Sequence, residues 1–128
     1  MALARAPLRG LSILVVEDEA LIAWDTAERL RMCGARIIGP AATVTEAFAL
    51  LASHAPDAAV VDINLRHESV YPLVDKLKLR SIPFIFVSGY SQNALPAEYA
   101  GCSFIGKPFD AHVFLEALAT AFSKARER

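Results

Sequence analysis

The 128-residue chain carries thirteen Lys and Arg against fourteen Asp and Glu, a formal net charge of −1, with 55% hydrophobic and 21% charged residues. That length supports one domain that buries its own core without disulfide or metal staples, and the apolar content excludes intrinsic disorder. So even a balance, with a pI of about 6.3, argues against a broad basic face and direct nucleic-acid binding.

Short apolar runs alternate with amphipathic stretches along the chain. Leu11 to Val16 is rich in β-branched residues and predicts a buried strand. Ala20, Ala23, Trp24, Ala27 and Leu30 then recur at helical spacing as a core-facing set, and Gly34 supplies the stop. A second strand is expected over Ala35 to Gly39. Thr43 and Glu46 have the spacing of a capping box, opening a helix with Val44, Ala47, Phe48 and Leu51 on one face. Pro56 and Asp57 punctuate before a third strand, Ala58 to Val61, that ends at Asp62. A helix over Ser69 to Arg80 carries Val70, Leu73, Val74 and Leu77, and Phe84 to Val87 is the fourth strand. Ser91 to Gly101, with Pro96 and few good helix formers, is a poor helix and predicts a soft element. Ser103 to Ile105 is the fifth strand, and Asp110 caps a last helix with Val113, Phe114, Ala117, Leu118 and Ala121 inward.

This is a (βα)₅ pattern. Parallel strands need right-handed helical crossovers, so helices cover both faces of a doubly wound sheet. The longest charge-free run, Ser81 to Ala97, is interrupted by Pro83, Gly89 and Pro96, unlike an apolar membrane span. The first ten residues lack a signal peptide's apolar stretch, so the chain is expected in the cytoplasm. Cys33 and Cys102 stand far apart with no metal-ligand spacing and read as small buried hydrophobes. His54, His67 and His112 share no metal spacing either.

In such folds ligands bind outside the carboxyl ends of the strands. Glu17, Asp18 and Glu19 follow the first strand and Asp62, Ile63 and Asn64 the third. Ser88, Gly89 and Tyr90 follow the fourth, and Lys107, Pro108 and Phe109 the fifth. Each alone is an ordinary turn residue; together they bring acids, a hydroxyl and a lysine to one edge. Carboxylates crowded there would repel each other unless a hard cation such as Mg²⁺ were present.

Glu17 and Asp18, Asp62, Ser88, and Lys107 with Pro108, each at its strand end, resemble the receiver domain of two-component response regulators (the CheY-like fold) over residues 11–123. Residues 1–10 are then an N-terminal extension and 124–128 a C-terminal tail. Pro83 to Tyr90 further resembles the strand-four signature of the single-domain FATGUY subgroup, with Val87 and Ser88 where that signature has Ala-Thr. The resemblance implies a flavodoxin-like α/β fold with strand order 2-1-3-4-5. It implies Asp62 as acceptor of a phosphoryl group from a sensor histidine kinase or a phosphotransfer protein. Mg²⁺ would be held by Asp18, Asp62, the Asn64 main-chain carbonyl and Glu17. Lys107 and Ser88 would contact phosphoryl oxygens, and the peptide before Pro108 would be cis.

Phe104 stands where many receivers carry a switch tyrosine, and Tyr90 is a candidate to supply the missing hydroxyl. Gly89 leaves the phosphoryl group unshielded, while Asn64 and Tyr90 flank the path of an attacking water. The segment 91–101, the fifth strand and the last helix are the expected face for a downstream protein partner. No further output domain fits after the last helix, so the chain is expected to act by contact, as a relay or as a phosphate sink, as a monomer or weak homodimer. It would assist its own phosphorylation and hydrolysis without turning over an outside substrate. A phosphorylation-independent binding module and an aspartyl-phosphate hydrolase are the competing readings.

Overall fold

The computed structural model describes residues 8–65, 68–89, 95–107 and 111–127. Five parallel strands, β1 (Ser12–Val16), β2 (Arg36–Ala41), β3 (Ala58–Asp62), β4 (Phe84–Ser88) and β5 (Phe104–Gly106), form one sheet in the order β2-β1-β3-β4-β5. Four α-helices connect or follow them: α1 (Ala20–Met32), α2 (Val44–Ser53), α3 (Tyr71–Leu79) and α4 (Ala111–Glu127). Between β4 and β5 the described residues hold a single 3-10 turn, Ala97–Tyr99, where the poor fourth helix of the (βα)₅ pattern was expected. Pro96 stands directly before it and cannot donate a helical hydrogen bond.

Successive side chains on each strand point to opposite faces, which divides the core in two. Ile13, Val15, Val60, Ile85 and Val87 lie with Leu30 of α1 and with Phe114, Leu118 and Phe122 of α4. Leu14, Val16, Val61 and Phe86 lie with Leu51 of α2, with Leu73, Val74 and Leu77 of α3, and with Tyr99. Both faces of the central strands are thus covered, which explains their continuous apolar sequences.

The helix signals in the sequence work as the chemistry requires. Gly34 lies at φ +99, a left-handed value that glycine adopts without strain; its N–H donates to Arg31 O, and the Ala35 N–H to Leu30 O, closing α1. Thr43 Oγ1 accepts from the Glu46 N–H at 3.0 Å, while Glu46 Oε1 accepts from the Ala42 N–H at 2.8 Å. That is a capping box displaced by one residue on its return arm.

Three expectations about direction are corrected. Trp24 is 64% exposed and Ala20 is exposed, because α1 turns Ala23, Thr26, Ala27 and Leu30 to the sheet. Small residues on that face bring the helix close and leave no depth for an indole. Val113 is 47% exposed, while Phe114 and Leu118, expected inward with it, are buried. The second strand runs on to Ala41, past Gly39 and Pro40. Proline is tolerated there because β2 is an edge strand. Cys33 is buried, Cys102 partly so, and both are free thiols. Among the described residues no helix is long and apolar enough to cross a membrane.

Candidate functional site

The register of the sheet sets the site. Val16 of β1 is opposite Val61 of β3, Asp62 opposite Val87 of β4, and Ser88 opposite Gly106 of β5. The residues that follow these strands therefore emerge at one edge. Glu17 leaves β1 with its N–H donating to Ala41 O at 2.9 Å, which holds its backbone to the end of β2. Lys107 leaves β5 with its N–H donating to Ser88 O at 2.6 Å, so the main chain that carries the lysine is held to β4.

The Lys107 ammonium donates to Glu17 Oε1 and to Asp62 Oδ2, each at 2.9 Å. The other oxygen of each acid is also engaged. Glu17 Oε2 accepts from the Glu19 N–H at 3.2 Å, and Asp62 Oδ1 from the Asn64 N–H at 2.8 Å. Asn64, itself exposed, donates its side-chain amide to the hydroxyl of fully buried Ser88 at 3.3 Å. Glu17, Asp18, Asp62, Asn64, Ser88 and Lys107 thus gather within a few residues of four strand ends. Their hydrogen bonds join β1, β3, β4 and β5.

Oxygens of Glu17, Asp18 and Asp62 lie within 4.8 Å of one another, the one such acidic group among the described residues. Glu17 and Asp62 are only 6% and 3% exposed. Burial, then the neighbouring Asp62 carboxylate, pushes the Glu17 carboxyl up to about 7, although Lys107 pulls the other way. Burial alone would lower Lys107, but its bonds to Glu17 and Asp62 outweigh this and raise it, so it stays an ammonium. With all three carboxyls ionised, the one lysine paired with Glu17 and Asp62 leaves two negative charges unmatched, the charge of a divalent cation. The donors are hard oxygens, two of them on nearly buried carboxylates, a set that suits Mg²⁺ better than a soft metal.

The remaining sequence candidates are placed as follows. Gly89 is exposed, and a Cβ built there would meet nothing within 4 Å. Phe104 sits on β5 opposite Phe86, partly buried against the α2–α3 side of the core. Tyr90, Pro108 and the peptide between Lys107 and Pro108 lie outside the described residues, as does the Asp110 cap. The sequence reading missed that Lys107 reaches Glu17 as well as Asp62, and that Asn64 and Ser88 are bonded. It also missed Tyr99, whose hydroxyl donates to Asp75 Oδ1 at 2.7 Å while its ring stacks on Tyr71. A tyrosine within a proline-bearing loop carries no local signal for such a contact.

Comparison with known proteins agrees with this geometry. Residues 13–119 match the family model of the response regulator receiver domain. The chain is 34% identical over 119 residues to the transcriptional regulatory protein PdtaR of Mycobacterium tuberculosis, covering 90% of this chain and 58% of that one. It is 37% identical over 101 residues to the phyllosphere-induced regulator PhyR of Methylorubrum extorquens, covering 76% of this chain and 38% of that one. The chain therefore spans about half the length of the curated relatives it matches. The solution structure of SdrG from Sphingomonas melonis Fr1 superposes with a TM-score of 0.77 at 34% identity, covering 87% of this chain and 95% of that one.

Proposed function

The chain belongs to the response regulator receiver family, and from that premise we propose that it is switched by a phosphoryl group carried on Asp62. The observation that supports this reading most is the contact of one lysine with two nearly buried acids at the carboxyl edge of a parallel sheet. A structural ion pair needs one acid. A second and a third within 4.8 Å cost repulsion unless charge is to be received there.

In this reading an Asp62 oxygen attacks the phosphorus of a phosphohistidine on a sensor kinase or phosphotransfer protein. The new P–O bond forms as the P–N bond to the histidine breaks. Lys107 already touches Asp62 Oδ2, so its ammonium is placed to follow charge from the carboxylate to an incoming phosphoryl oxygen. Ser88 Oγ, held by the Asn64 amide, offers a hydroxyl donor to another. Glu17, Asp18, Asp62 and the Asn64 carbonyl would hold Mg²⁺, which when bound supplies charge neutralisation between phosphoryl donor and acceptor. The chain acts on its own carboxylate and turns over no outside substrate. Its output passes to a protein partner through β5, α4 and the chain between β4 and β5.

The test is incorporation of labelled phosphate from acetyl phosphate with Mg²⁺, compared with chelator and with Asp62→Asn. One phosphate per chain, lost in both controls, is expected. No labelling of the wild type would overturn the proposal in favour of a phosphorylation-independent binding module. Sustained release of phosphate over many turnovers would favour a hydrolase.

A further inference from the structure

Away from the acidic edge, α2 and α3 leave a shallow, open cleft of about 480 Å³ between them, lined by Phe48, Leu51, Ala52, Lys76 and Arg80. Its floor is apolar and comes from α2; its cations come from α3 and from Arg80, which caps it. We propose that this cleft is a docking site for an acidic, amphipathic segment of a partner protein, an apolar side chain on the α2 floor and carboxylates on Lys76 and Arg80.

The cations are placed for an external acid. The Arg80 guanidinium is already ordered: Nη1 donates to Leu51 O at 2.9 Å and Nη2 to His54 O at 3.4 Å. These are carbonyls at the end of α2, a helix with no basic residue in its own last turn. Two of five N–H groups are used, and the rest of the fork is held in place before any partner arrives, which lowers the ordering cost of binding. Lys76 lies one helical turn earlier on α3 and is exposed.

Among the described residues no carboxylate pairs with Lys76 or Arg80. The acids of the neighbouring elements bond elsewhere. Glu46 accepts from Ala42 N, Asp57 from Ser12 N, Glu68 from Val44 N and Asp75 from the Tyr99 hydroxyl. An apolar floor with two unmatched cations at its rim calls for the complementary partner, apolar and negative. A cleft of this volume matches small-molecule pockets, roughly 300–1,000 Å³, but those enclose most of their ligand. An open trough between two helices instead suits a length of chain. The inference is independent of phosphoryl chemistry at Asp62.

The test is an amide-shift titration of the full chain with two synthetic peptides of equal length, one of leucine and glutamate, the other with glutamine replacing glutamate. The glutamate peptide is expected to shift the amide signals of residues 48–52 and 76–80, and the glutamine peptide to leave them. Lys76→Glu, at an exposed position whose ammonium has no ion pair among the described residues, is expected to weaken binding roughly tenfold while its own amide spectrum reports an intact fold. Equal shifts from both peptides, shifts confined to another face, or an unchanged affinity in Lys76→Glu would each overturn the proposal. So would equal shifts of the same amides by oligothymidylate, which would make the cleft an anion site without preference for a peptide.

Discussion

Replacing Glu17 by Gln isolates the charge deficit at the acidic edge. In the folded chain the Glu17 carboxyl titrates near 7, against 4.5 for a free side chain, because burial and Asp62 disfavour its ionised form. Folding therefore takes up a proton between these two values, and stability falls as pH rises through that window. The contribution is complete below pH 4.5 and lost as pH passes about 7. At about 1.4 kcal/mol per unit, a displacement of this size is worth on the order of 3 kcal/mol. Gln keeps a carbonyl oxygen for Lys107 to bond and carries no charge at any pH. Urea denaturation of divalent-free protein across the window should show wild-type stability declining by that amount relative to Glu17→Gln. Above pH 7 the variant should be the more stable chain. Every other titratable group is common to both proteins, so the difference curve removes it. Added Mg²⁺ should restore the wild type at high pH and do less for the variant. Parallel curves for the two proteins without divalent ions would refute the reasoning.

Two further substitutions test the frame around the site. Tyr99→Phe keeps the stack on Tyr71 but removes the hydroxyl bond to Asp75, and should cost ~1–2 kcal/mol in urea denaturation. That bond and burial push the Tyr99 phenol up to about 12, so the late step in an ultraviolet titration of the folded protein should vanish in the variant. Gly39→Ala places a Cβ 2.7 Å from Ala41 N and 3.1 Å from Val15 O at φ +100. A left-handed alanine alone costs about 1–2 kcal/mol, so a larger loss should be measured, and an unchanged denaturation midpoint would contradict the geometry.

Much of the fold was legible because its strands are buried on both faces. β1, β3 and β4 read as unbroken apolar runs, and their boundaries fall within a residue of expectation. The acidic edge was legible for a related reason: a charge directly after such a run has to stand where the sheet ends. Direction around a helix was less legible. Trp24 counts as apolar in any periodicity, yet Ala23 and Ala27 decide how closely α1 packs, and the indole is left outside. The extension of β2 was hidden because Gly39 and Pro40 signal a turn, whereas an edge strand accepts both. Contacts across the sequence were least legible. Glu17 and Lys107 are ninety residues apart, and nothing local to either one announces a shared hydrogen bond.

That contact bears on how the site would work. With no divalent cation, Lys107 is the counter-ion of Glu17 and Asp62 together, and its ammonium has donated to both. A phosphoryl group on Asp62 would claim the same ammonium, so at least one of the two carboxylate bonds would have to lengthen. The main chain of Lys107 is held by its N–H to Ser88 O, which makes the side chain the part free to respond. On the other side of Asp62, the Asn64 N–H and amide tie the acid to Ser88, and Glu68, further along the same loop, accepts from Val44 at the start of α2. A change in charge at Asp62 would thus pull on two structures at once: β4 through Ser88, and α2 through the loop. Lys107 is the element that both the resting and the phosphorylated charge distributions would bias, which is what a switch requires.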